Sequence, residues 1–313
     1  MTTNTDSLPS GGAVRLAHWG IARAQGEDAA KFLHSQLTQD FALLKPDQAR
    51  LAGYCSAKGR LLATLIGWQR SGPDDILLAL PAALLAPTVK RLSMFVLRAK
   101  CKLSDASSEI ALWGLAGTAA QAWLGEAAPA SVYGLARLGD AQVIRLHDGA
   151  DGLPRYLLAQ AADAAAPALP ALPLDDWQWL EQSAGLAFVD SATVEQFVPQ
   201  MINLELLGGV NFQKGCYPGQ EVVARSQYRG TVKRRTFLFE VEGQALPGQE
   251  LFHSSDAEQP AGLVASSAQR GGKSLLLAEV KLAALEAGSL HLGAASGPQL
   301  HQQPLPYAVA EPQ

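Results

Sequence analysis

The chain has 313 residues, with 25 Lys and Arg against 29 Asp and Glu, for a net charge of −4. With 17% charged and 48% hydrophobic residues, its composition is globular. That excludes a disordered chain and a protein coated in basic charge for duplex DNA. No apolar run of about 18 residues is free of charge or proline, so no membrane span is expected. Residues 1–12 are polar and lack the regions of a secretory signal, which points to the cytoplasm.

Residues 26–37 read as a helix, with Glu27 and Asp28 in its first turn and Phe32, Leu33 and Leu37 at helical spacing. Residues 61–68 and 76–80 are mostly apolar and separated by Ser71-Gly72-Pro73, which predicts two strands paired through a turn. Residues 82–98 form an amphipathic helix interrupted near Pro87. Strands are expected at 110–115, 141–146 and 155–159, with a helix at 118–124. Residues 161–173, rich in Ala and Pro, read as a surface connector that stops any helix at Pro167. A helix over 175–184 follows. Beyond Arg235 only short strands remain, at 236–241, 251–253, 262–267 and 274–280, separated by Gly, Pro and polar turns. The pattern predicts an α+β region over 1–235 and a small C-terminal β-barrel over 236–313.

The three cysteines, Cys55, Cys101 and Cys216, show no C-x-x-C spacing, and six scattered histidines offer no metal-ligand spacing. Neither a disulfide framework nor a metal site is expected. Gly271-Gly272-Lys273-Ser274 is not a phosphate loop, because Ser267 stands where that motif needs its first glycine. The informative segment is Lys214-Gly215-Cys216-Tyr217-Pro218-Gly219-Gln220-Glu221. Gly and Pro fix a turn around one cysteine just before a helix N-terminus, with Lys214 and Arg225 nearby. That setting favours a thiolate. A small apolar residue in a tight turn is the competing reading. Arg225, Arg229, Lys233, Arg234 and Arg235 form a basic stretch, either a solvated face or an anion site.

Phe212-Gln213-Lys214-Gly215-Cys216-Tyr217-Pro218-Gly219-Gln220-Glu221 closely resembles the signature of the YgfZ family, folate-binding proteins related to the aminomethyltransferase (T-protein) of the glycine cleavage system. The segments Phe197-Val198-Pro199-Gln200-Met201-Ile202-Asn203-Leu204, Ser35-Gln36-Leu37-Thr38-Gln39-Asp40, Cys55-Ser56-Ala57-Lys58-Gly59-Arg60 and Pro304-Leu305-Pro306-Tyr307 extend it over nearly the whole chain. The resemblance implies a cloverleaf of two interleaved α+β folate-binding lobes plus the barrel, with tetrahydrofolate as ligand. It also implies a role in assembly or repair of iron–sulfur cluster enzymes, including those of tRNA methylthiolation. Cys216 falls on the family's signature cysteine, with Lys214 and Arg225 around it, and is the candidate functional thiolate. Trp19 and Trp177 fall where family members place tryptophans near the folate, where an indole can stack a flat ring. Gln200, Asn203, Tyr217, Gln220 and Glu221 are the further candidate folate contacts.

Two departures separate this chain from the glycine-cleaving branch. Ala63 and Thr64 stand where the T-protein carries an aspartate pair, and neither can do a carboxylate's work. Ser183 stands where it carries a pterin-binding glutamate. The resemblance therefore favours a tetrahydrofolate-binding iron–sulfur maintenance factor over a tetrahydrofolate-dependent one-carbon (aminomethyl) transferase. The expected partners are folate and iron–sulfur client enzymes. Direct tRNA contact would have to use the basic stretch.

Overall fold

The structure is a computed structural model, described over residues 11–228 and 232–309. Its first strand, β1 (Gly11–Arg15), does not pair with the next, β2 (Trp19–Gln25). The chain interleaves two five-stranded antiparallel sheets instead. One has the order β3 (Ala49–Cys55), β4 (Leu61–Gly72), β5 (Asp75–Pro81), β2, β6 (Lys102–Asp105). The other has the order β1, β7 (Ile110–Ala116), β10 (Arg155–Ala161), β9 (Ala141–Arg145), β8 (Leu135–Leu138). The β4–β5 hairpin forms as the turn at Ser71-Gly72-Pro73 requires, with Trp68 opposite Leu77 and Ile66 opposite Ala79. Both strands are buried almost throughout, so their sheet is covered on both faces.

Helix α1 (Ala29–Gln36) buries Phe32 and Leu33. Helix α2 (Ala82–Ser93) runs straight through Pro87, contrary to the expected interruption. The carbonyl that Pro87 leaves without a helical partner belongs to exposed Ala83, where water can take the bond. The helix ends five residues earlier than expected, and Leu97 beyond it has a φ of 42°. Helix α3 (Gly117–Leu124) covers one face of the second sheet through Ala120 and Leu124.

The connector differs from expectation at its end. Residues 170–172 run beside β1, with Ala13 donating to the Pro170 carbonyl at 2.9 Å and Leu172 donating back to Ala13 at 2.9 Å. The sheet's edge strand is thereby covered. Helix α4 (Leu174–Ser183) follows, with Asp175 and Asp176 in its first turn. Its Trp177 lies against Gly114 of β7, where a methyl group would stand 2.6 Å from the indole. Glycine is what lets the helix approach the sheet this closely.

The C-terminal part is a six-stranded antiparallel sheet that curls on itself. Its strands are β11 (Arg234–Glu242), β12 (Glu250–His253), β13 (Asp256–Arg270), β14 (Lys273–Lys281), β15 (Leu290–Leu292) and β16 (His301–Gln303). Phe239, Val241, Leu251, Val264, Leu276 and Val280 form its own core. Helix α4 is shared with it: Ser266 donates to Gln182 at 2.7 Å, and Arg270 meets Asp176 at 2.6 Å.

Candidate functional site

The sequence points to two places, and the structure keeps them apart. The first is the cysteine turn. Asn211 Oδ1 accepts from the backbone N–H groups of Gln213 (2.8 Å) and Lys214 (3.1 Å), which starts the turn. Gly219, at φ 79°, ends it and opens helix α5 (Gln220–Tyr228). Cys216 is exposed between them. Lys214 is buried, and its ammonium donates to the carbonyls of His34 and Leu37 (2.8 Å to the latter) at the end of α1. Those carbonyls have no helical partner and carry the negative end of the helix dipole. Burial lowers the Lys214 pKa to about 8, while Asp40 and Cys216 act in the opposite direction. Lys214 thus anchors the turn to the first lobe and stays within electrostatic reach of Cys216.

The sequence shows no histidine beside Cys216, but the fold brings one close. His34 bonds Asp40 Oδ1 through Nδ1 at 2.9 Å, and its Nε2 lies 3.4 Å from where a Cβ on Gly215 would stand. Tyr217 is buried under the turn, and Arg225 and Glu221 are exposed on α5. Gln220 is half-buried at the start of α5.

The second place is a narrow cavity between the two lobes, of about 20 Å³, room for about one water molecule. Trp19 and Trp177 line it, together with Tyr133, His147, Arg155 and Glu181. Trp177 is fully buried, whereas Trp19 is half-buried and meets Phe188 edge-on with ring centroids 4.7 Å apart. Four buried polar atoms on this wall have no hydrogen-bond partner: Tyr133 Oη, His147 Nε2, Arg155 Nε and Trp177 Nε1. Native interiors rarely leave such atoms unsatisfied, so their convergence on one cavity marks a place for a buried water or another small polar group. Burial lowers the Arg155 pKa to about 10 and holds His147 below its ordinary value. Glu181 faces both Arg155 and His18 at long range: its oxygens are 3.8 Å from Arg155, an ion pair beyond hydrogen-bond distance, and 3.7 Å from His18.

The sequence reading missed Tyr133, His147, Arg155 and Glu181, because each is polar in an otherwise ordinary local pattern and only the packing of the two lobes brings them together. It also expected a loss of carboxylate at Ser183. That hydroxyl is occupied, accepting from Ala150 N–H at 2.7 Å and donating to the Leu180 carbonyl at 3.0 Å. A carboxylate is nevertheless present, two residues earlier at Glu181.

Several candidate folate contacts stand elsewhere. Gln200 is fully buried and donates to the Val223 carbonyl at 2.8 Å, fixing α5. Asn203 donates to the Thr236 carbonyl (2.8 Å) and to Tyr307 Oη (3.2 Å), joining the C-terminal sheet and the chain's end. Neither lines the cavity, nor do Tyr217, Gln220 and Glu221. The basic stretch is also dispersed. Arg234 pairs with Glu279, and Arg235 is buried against Glu205 and the Gln200 carbonyl. Arg225 and Lys233 are exposed, and Arg229 lies outside the described residues. Among the described residues, no group of three or more His, Cys, Asp or Glu side chains is placed to hold a metal ion. None of their helices is long and apolar enough to cross a membrane.

No family model matches the chain. Curated relatives do. The tRNA-modifying protein YgfZ of Edwardsiella ictaluri is 33% identical over 317 residues, covering 95% of this chain and 92% of that protein. The chain belongs to the YgfZ family. Its counterpart from Klebsiella pneumoniae is 31% identical over 95% of this chain and 93% of its own length. Among solved structures, the glycine cleavage system aminomethyltransferase T of Bartonella henselae matches with a TM-score of 0.70 at 17% identity, over 94% of this chain and 84% of that one. This YgfZ family member thus has the T-protein fold, as the resemblance implied.

Proposed function

We propose that this YgfZ family protein binds tetrahydrofolate beside the cavity between its lobes, in the wider hollows of about 800 and 420 Å³ that share its wall, and serves in the assembly or repair of iron–sulfur enzymes, including those that methylthiolate tRNA. The observation that carries the reading is the convergence of four unpartnered buried polar atoms on a cavity walled by Trp19 and Trp177. A reduced pterin is flat, apolar on its faces and polar around its edge, so it suits indole walls and scattered donors and acceptors. The curated relatives' name, tRNA-modifying protein, supports the connection to tRNA. Tetrahydrofolate would supply one-carbon chemistry or a reduced ring. Cys216, exposed and outside the cavity, would act as a thiolate toward a client protein.

An anaerobic titration with tetrahydrofolate, followed by tryptophan fluorescence, tests the ligand. Saturable quenching that is lost in Trp19→Phe supports the reading, and no binding at millimolar concentration overturns it. Cys216→Ser tests the thiol. It should leave fold and folate affinity intact yet fail to restore iron–sulfur enzyme activity in a deletion strain, whereas full restoration removes Cys216 from the mechanism.

The T-protein fold gives an aminomethyl transferase as the second reading. The site chemistry weighs against it. Ala63 is buried and carries no polar group, and the Thr64 hydroxyl is occupied by the Val189 N–H at 2.8 Å. Neither can anchor an amine by charge. Steady formation of methylene-tetrahydrofolate from a defined amine would favour it.

A further inference from the structure

We propose that the groove beside α2, lined by Tyr54, Leu62 and Met94, takes an acidic, apolar segment of an iron–sulfur client protein and so presents that client to Cys216; the proposal rests on the reading of Cys216 as a thiolate that acts on a client.

The groove has a volume of about 260 Å³. Its walls are apolar. Leu84 and Pro87 come from α2, Met94 follows that helix, and Leu62 comes from β4. Tyr54 lines it as well and is itself fully buried. Lys90 and Arg91 also line it, and both are exposed. Apolar surface continues beyond the groove: Met94 is 59% exposed, Phe95 45% and Leu97 87%. A single exposed apolar residue needs no explanation, but three large ones within four positions mark an interaction surface.

Charge decides what fits. From residue 76 to residue 104 the chain carries Lys90, Arg91, Arg98, Lys100 and Lys102 and no Asp or Glu, although its net charge is −4. Lys100 is paired with Glu27. Among the described residues, Lys90 and Arg91 form no ion pair, and Arg91 reaches the Tyr54 hydroxyl. Glu195, next to Val194 of the wall, does not line the groove. An occupant must therefore bring carboxylates for the two cations and apolar side chains for the walls. One amphipathic protein segment supplies both. A bilayer is flat and would leave the concavity empty, and RNA would find a single exposed aromatic side chain here, Phe95, for stacking.

The groove also lies beside the cysteine turn. Residues 56–60 join the two, with Tyr54 and Leu62 flanking them on the groove side. On the other side Gly219 packs on Ser56 and Gly59, and Val222 of α5 lies against Gly59. A segment seated in the groove is thus one short loop away from the turn that exposes Cys216.

The test titrates a purified, cluster-free tRNA-methylthiolating iron–sulfur enzyme against the full-length protein under anaerobic conditions. Wild-type binding should weaken with added salt. Lys90→Glu combined with Arg91→Glu, and separately Met94→Glu, should each weaken it by about tenfold or more with an unchanged melting curve. Leu246→Glu, at an exposed apolar residue of the C-terminal part, is the control and should bind as the wild type does. Met94→Glu leaves the Arg91 contact with Tyr54 in place, so a charge-reversed protein that fails to fold does not remove the test. Unchanged affinity in the groove variants, or no binding by the wild type, overturns the proposal. So does a loss of tRNA binding or of self-association in place of enzyme binding, which would give the groove another occupant. A deletion strain separates this proposal from the reading beneath it. If the groove variants restore enzyme activity fully and Cys216→Ser does not, the docking site falls and the thiolate reading stands. If Cys216→Ser restores it fully, the thiolate reading itself falls.

Discussion

The guanidinium carbon of Arg155 lies 4.5 Å from the ring centroid of Trp177. With the β7 backbone at Gly114 also against that indole, Trp177 is wall material rather than an open stacking face. Trp19, half-buried on the same cavity, is the indole left for the proposed ligand. Trp177→Ala should therefore cost about 3–5 kcal/mol in chemical denaturation, the range for emptying a large core site. Trp19→Phe should cost less and abolish the ligand-dependent change in fluorescence. The opposite ranking would reassign the two tryptophans.

The cysteine turn depends on Gly219. A Cβ there would stand 2.4 Å from the Ser56 carbonyl oxygen, and the φ of 79° disfavours any side chain. Gly219→Ala should destabilise the protein by about 1–3 kcal/mol through backbone strain and displaced packing. It should also loosen the turn's seat on residues 56–59, next to buried Cys55. Thiol titration of the native state checks this: the wild type should show Cys216 reacting ahead of Cys55 and Cys101, and the variant should make Cys55 reactive too.

Lys214 makes stability depend on alkaline pH. Its folded pKa is lowered to about 8 from the ordinary 10.5 of a lysine, chiefly by burial. Between those values the unfolded chain binds the extra proton, so raising the pH favours the folded state. Below about 8 both states are protonated and the contribution is constant. The stability difference between wild type and Lys214→Met should therefore shift toward the wild type by about 1–3 kcal/mol from pH 7.5 to pH 10. Urea denaturation of both proteins across that range measures it, and a flat difference would show that the ammonium is not held as described.

Arg235 and Glu205 form a buried pair that joins residues 200–205 to β11. Burial raises the Glu205 pKa, and Arg235 opposes that rise. Removing one partner leaves a buried charge, so Arg235→Met should cost about 3–5 kcal/mol. Pairing it with Glu205→Leu should recover much of that loss, because two apolar side chains leave no charge behind. Equal instability of the single and double variants would place the cost in packing alone.

The sequence by itself determined the elements whose signals are local. The β4–β5 hairpin follows from two apolar runs around Ser71-Gly72-Pro73, and α4 from its acidic first turn and apolar spacing. The curled C-terminal sheet follows from short strands between Gly- and Pro-rich turns. The family was legible for the same reason, since the turn from Phe212 to Glu221 is contiguous and chemically unusual. Strand β1, by contrast, carries no distinctive pattern and gains its place only by pairing with β7. The cavity was equally out of reach. Arg155 looks like the start of an ordinary strand, Glu181 like a solvent-facing helix residue and His34 like a scattered histidine. Only the close packing of α4 on the second sheet, permitted by Gly114 against Trp177, puts Arg155 and Glu181 on one wall. Only the burial of Lys214 at the end of α1 puts His34 beside the Cys216 turn. Local structure obeys short-range sterics and periodicity, which a sequence displays. A site assembled from residues on separate strands and helices is decided by packing and by where unsatisfied polar atoms are left.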